Sequence, residues 1–119
     1  MSEADLKRTV TEYLTIGRAQ GRWWFERLNS GDVLVKGGAK HYKIKLCEEG
    51  TADFVVIRES VVPVFAQVTV MTTQAIFLEL KSEKGRTSPA QDAFKIIVEA
   101  QGCVYKIIRS MEDLIEIVG

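Results

Sequence analysis

One histidine, His41, and two cysteines, Cys47 and Cys103, are all that 119 residues provide. A single imidazole cannot build a histidine metal cluster, and the two cysteines form no CxxC pair, so HExxH zinc chemistry and cysteine-based zinc modules are excluded. A Ser-His-Asp or Cys-His site would have only His41 to use, and that ring stands among lysines with no local acid to orient it. Neither GxxxxGK(S/T) nor GxGxxG occurs, so no nucleotide cofactor is expected. No run of about 18 apolar residues is present, so no membrane span is expected either. The opening MSEADLKRTV is polar and unlike a secretory leader, and two unpaired cysteines suit reduced thiols, so the expected location is intracellular and cytoplasmic. Charge of one sign is also missing. Sixteen basic and sixteen acidic residues cancel, and net charge alone announces no nucleic-acid partner.

What remains is a chain of single-domain length, 46% hydrophobic, spanning residues 1–119 as one unit. Ser2 can cap a helix with Asp5 at its third position, and Leu6, Val10, Tyr13 and Leu14 follow at helical spacing toward Gly17, with Gly21 ending the segment. Residues 23–29 read as an aromatic strand, and His41–Leu46 alternates as a half-exposed strand with a basic outer face. A further strand runs from Asp53 to Arg58. Pro63 is expected to interrupt the next apolar stretch, with Val64–Val70 and Gln74–Lys81 as two strands joined through Met71-Thr72-Thr73. The stretch Val61–Val70 reads as an added strand or as part of a dimer contact. Ser88-Pro89-Ala90-Gln91 is a helix start with a capping box, Gly102 stops that helix, and a strand and a last helix capped by Ser110 follow. The order α-β-β-β-β-α-β-α implies an α/β (α+β) fold: a mixed sheet flanked by helices, with a parallel crossover between Gln74 and Ile108.

Glu79 and Lys81 lie two apart and leave the same face of their strand, while Ile76, Leu78 and Leu80 point the other way. A solvated charge pair on a sheet edge is one reading. Asp53 suggests another, because it heads its own strand, and neighbouring strands would bring it to Glu79. Two adjacent carboxylates repel, and burial raises the cost, so the pair calls for a cation. Mg²⁺ or Mn²⁺ suits oxygen ligands of this kind, and metal-assisted phosphodiester hydrolysis is the reaction such parts would serve, with Lys81 orienting water or neutralising charge.

The block LELKSEKGRTSPAQDAF, with GTADF upstream, resembles the virus-type replication-repair nuclease (VRR-NUC) domain of the PD-(D/E)XK nuclease superfamily, in its stand-alone phage or bacterial form. The resemblance covers nearly the whole chain. It implies a restriction-endonuclease-like fold and Mg²⁺- or Mn²⁺-dependent cleavage of DNA. It puts metal ligands on Asp53, Glu79 and the backbone carbonyl of Leu80, the catalytic lysine at Lys81, and a catalytic glutamine at Gln91. The acid of the family's first helix, a candidate further metal ligand, matches Glu3. Where the family often has proline before the aspartate, this chain has Ala52. Gln91 equally serves as the third residue of the capping box, and Glu3 as a first-turn acid of its helix.

Arg27 and Asn29 match a family position that could meet the scissile phosphate. Lys36, Lys40, Lys43 and Lys45, together with Ser82, Lys84 and Arg86, are the candidate contacts to DNA backbone. Trp23, Trp24 and Phe25 are either base-stacking residues or core and interface. Stand-alone members of the family resemble Holliday-junction resolvases. A homodimer acting on branched DNA, a four-way junction above all, is therefore the expected function, since two symmetric cuts suit a two-fold dimer. The alternatives are the same chemistry on flaps, nicks or unspecific duplex, and a non-catalytic DNA-binding module.

Overall fold

The computed structural model describes residues 1–28, 32–37, 40–45 and 47–119, with side chains for 1–28 and 47–119. Helix α1 runs Glu3–Ala19, and the Ser2 hydroxyl accepts the Asp5 N–H at 3.1 Å. Leu6, Val10, Leu14 and Gly17, spaced four, four and three apart, are its buried face. Gly17 stays bare for a reason. A Cβ there would lie 2.0 Å from the Trp23 ring, whose Nε1 donates to the Leu14 carbonyl at 2.9 Å.

Four strands form the main sheet: β1 (Trp24–Arg27), β4 (Phe54–Phe65), β5 (Val68–Leu80) and β6 (Val104–Ile108), in the order β1-β4-β5-β6. Between β1 and β4, strands β2 (Asp32–Gly37) and β3 (Lys40–Lys45) pair antiparallel as a separate ribbon. β4 is antiparallel to β1 and β5, whereas β5 and β6 run parallel, joined by helix α2 (Pro89–Ala100). Helix α3 (Met111–Val118) closes the chain behind a Ser110 cap. The expected mixed sheet flanked by helices is present, with its parallel crossover.

The period of two divides the sheet's side chains between its faces. Phe54, Val56, Ile76, Leu78, Leu80 and Ile108 form the main core with residues of α1 and α3. On the other face Ala52, Val98 and Tyr105 make a smaller core, packed by Phe77, Phe94 and Ile107. Arg58 closes the main core at its far side. Its guanidinium donates to the Val118 and Ile117 carbonyls at the end of α3, both at 3.0 Å, and to Gln74 Oε1 at 3.1 Å.

Two expectations about the strands are corrected. Pro63 does not stop the chain: β4 passes through it, with a register shift between Pro63 and Phe65. Proline is tolerated because, among the described strands, β4 has only β5 beside it there, so the missing N–H costs no ladder bond on the open side. Met71-Thr72-Thr73 is no joint either. It lies inside β5, where β-branched threonines fit a pleat, and the reversal falls at Ala66-Gln67, with Gln67 at φ 62°.

Candidate active site

Asp53 stands one residue before β4, and the pairing of Phe54 with Leu78 sets it against Glu79. Its loop is held at both ends. Gly50, at φ 92°, passes so close to α2 that a Cβ would sit 2.4 Å from the Ala90 carbonyl oxygen. The Leu28 N–H donates to the Asp53 carbonyl at 2.7 Å. The Asp53 carboxylate takes two further partners: Oδ2 accepts the Leu80 N–H at 2.7 Å, and Oδ1 is 3.3 Å from Lys7 Nζ.

Glu79 is 3% exposed, the only buried charged or polar residue among those described. That overturns the reading of a solvated edge pair. Its Oε1 accepts from Gln91 Nε2 at 3.0 Å and lies 3.8 Å from Lys81 Nζ, while Oε2 is buried without a hydrogen-bond partner. Burial, and next the charge of Asp53, push Glu79 up to about 8. The charge of Glu3 acts the same way, and Lys81 pulls against them.

Gln91 satisfies both readings at once. Its Oε1 accepts the Ser88 N–H at 2.9 Å, completing the capping box, and its Nε2 is left to hold Glu79. The amide therefore has one orientation. Glu3 is exposed in the first turn of α1, close enough for its charge to raise Glu79, but it makes no hydrogen bond or ion pair with the carboxylates. Leu80 enters the site through its backbone N–H.

Arg27 is exposed at the end of β1 and shares with Lys7, Arg8, Thr11 and Glu12 a groove of about 380 Å³. The loop after Lys81 is pinned by one guanidinium. Arg109 Nη1 is fixed by the Ser82 carbonyl at 2.8 Å and the Gly85 carbonyl at 2.7 Å, which holds Lys84 and Arg86 out in solvent. Asn29 lies outside the described residues, as do the side chains of Lys36, Lys40, Lys43 and Lys45. Trp23 and Phe25 are core, and Trp24 is half exposed. A cavity of about 710 Å³ lies on the α3 side of the sheet, lined by Arg58, Lys106, Arg109 and Glu116 among others, and takes no part in the site.

Two residues at the site escape sequence reading. Lys7 stands four after Glu3, hence on the same side of α1, but its ion pair depends on how α1 docks. Tyr105, opposite Phe77, looks like plain core. Its hydroxyl is buried without a partner, and burial together with the charges of Glu79, Asp53 and Asp92 pushes it up.

No group of three or more His, Cys, Asp or Glu positioned for a metal occurs among the described residues. Two carboxylates are nonetheless enough for a hard ion that keeps waters and takes substrate oxygens, and Glu79 Oε2 is a buried acceptor oxygen with no donor. No family model, curated protein or solved structure matches this chain.

Proposed function

We propose that the chain is a Mg²⁺- or Mn²⁺-dependent endodeoxyribonuclease that works as a homodimer on branched DNA, with the four-way junction as preferred substrate. The observation that carries this reading is the buried Glu79 beside Asp53, with Lys81 Nζ 3.8 Å from its oxygen and one carboxylate oxygen unpartnered. The likeness of residues 50–54 and 78–94 to the VRR-NUC domain supports it. A lone buried carboxylate with a pKa near 8 is a poor structural element, since burial favours its neutral form; a site that must accept a cation explains the expense.

Asp53 and Glu79 would hold the ion, which supplies Lewis-acid polarisation of a phosphoryl oxygen and a more acidic water. Gln91 fixes the plane of the Glu79 carboxylate. Lys81 presents an ammonium where charge develops on the phosphoryl group and can orient the attacking water. Lys7, which reaches Asp53, shares a groove with Arg8, Arg27 and Glu12, and the groove's three cations suit the phosphate backbone, giving affinity without sequence choice.

The test is cleavage of a labelled four-way junction beside matched duplex and flap, each with Mg²⁺, Mn²⁺ or EDTA. Paired nicks on the junction are expected, abolished by EDTA and cut by at least ~100-fold in Asp53→Ala or Lys81→Ala. Equal cutting of all three substrates would keep the chemistry and discard the junction. Binding with no metal-dependent product would leave a non-catalytic module.

A further inference from the structure

The carboxylate oxygens of Asp53 and Glu79 differ in what holds them. Asp53 Oδ2 accepts the Leu80 N–H at 2.7 Å, a backbone donor inside β5. Glu79 Oε1 accepts from Gln91 Nε2 at 3.0 Å, and the capping box fixes that amide. Glu79 Oε2 has no donor. Two ammonium groups complete the set. Lys81 Nζ lies 3.8 Å from Oε1, the oxygen Gln91 already holds. Lys7 Nζ lies 3.3 Å from Asp53 Oδ1 and is the only ion-pair partner of Asp53 among the described residues.

Lys7 is the partner best able to leave. It stands on α1, which is anchored in the main core by Leu6, Val10 and Leu14, so its side chain can swing while the helix stays. The ammonium sits on a flexible four-carbon stem, 28% exposed, and opens onto the groove shared with Arg8 and Arg27. A divalent ion joining Asp53 to Glu79 needs an oxygen of each, and Oδ1 and Oε2 are the two that neither backbone nor a locked amide holds. Mg²⁺ or Mn²⁺ sits at about 2.1 Å from its ligand oxygens, so an ammonium 3.3 Å from the same Oδ1 would face a double positive charge at close quarters.

We infer that Lys7 is a built-in rival of the divalent ion: its ammonium holds Asp53 Oδ1 and must give up that oxygen for the ion to bind. The inference rests on the metal reading proposed above. Once displaced, the ammonium remains beside Arg8 and Arg27, where a DNA phosphate is its next partner. The other role open to this ion pair is to clamp α1 against the sheet. The two roles differ in sign, because losing a clamp loosens the ligands and weakens ion binding, whereas losing a rival strengthens it.

Titration of the full chain with Mn²⁺ alone at ~0.15 M salt, read by the electron paramagnetic resonance signal of the free ion, tests this. Lys7→Met, which keeps the length and removes the charge, should lower the Mn²⁺ dissociation constant at least about fivefold. Arg8→Met removes a charge from the same groove without touching Asp53 and should stay within about twofold of wild type. Lys7→Arg keeps the charge and should show no gain. Circular dichroism checks the fold, and Lys7→Gln replaces Lys7→Met should that variant not fold. Equal or weaker binding by the neutral variant overturns the inference while leaving the metal reading in place, as does a gain that Arg8→Met matches. No Mn²⁺ binding by any of these chains, wild type included, overturns both.

Discussion

Single residues carry the sharpest consequences. Glu79 holds its proton up to about 8 in the folded chain, well above the ordinary 4.5, so its contribution to stability is fully present below pH 4.5 and is lost as pH rises through 8. Melting temperatures of wild type and Glu79→Gln, taken at pH 5.5, 7 and 8.5, should diverge with pH, the wild type losing ground. Parallel curves would mean the carboxyl is not held neutral by burial. Gly50 offers a second test, because it needs both a positive φ and empty space, whereas Gly102 at φ 88° has nothing within 4 Å. Gly50→Ala should cost about 3 kcal/mol and Gly102→Ala about 1 kcal/mol by urea denaturation. Equal losses would show that contact with Ala90 is unimportant. Glu79 and Lys81 were legible as a same-face pair because alternation is a local property, whereas Asp53 depended on the two strands being neighbours and Gln91 on the family resemblance beside its cap. Lys7 and Tyr105 were not, since each owes its place to an element remote in sequence.

At the scale of elements, the helix starts were the easiest to read. Ser2, Ser88 and Ser110 each accept a backbone N–H three residues on, and that chemistry needs no tertiary information. Strand ends were harder. Two threonines after a methionine resemble a break, and a turn built on Gln67 lacks the glycine or asparagine that would announce it. The reach of β4 through Pro63 depended on knowing which edge would be open. The loop Ser82–Gly85 rests on one guanidinium, so Arg109→Ala should raise amide exchange there at least about tenfold while leaving β6 protected. Unchanged exchange would show that the loop is held by its own turn.

For the whole molecule, the proposed cation at Asp53 and Glu79 links stability to ion concentration. A divalent cation that binds the folded chain alone raises its melting temperature by mass action. Mg²⁺ or Mn²⁺ at millimolar concentration should therefore stabilise the wild type by a few degrees, an effect EDTA reverses and Asp53→Ala abolishes. Identical melting curves with and without the ion would remove the metal from the proposed chemistry. No described helix is long and apolar enough to cross a membrane, and the apolar surface of this chain is concentrated instead at the far end of one hairpin. The single orientation of the Gln91 amide has a consequence for the chain as it emerges and folds. The same side chain that starts α2 also aims Glu79, so a chain with an unravelled α2 has a carboxylate free to turn. Assembly of the helix thus acts as an interlock: in a half-folded chain the Glu79 carboxylate has lost the contact that orients it.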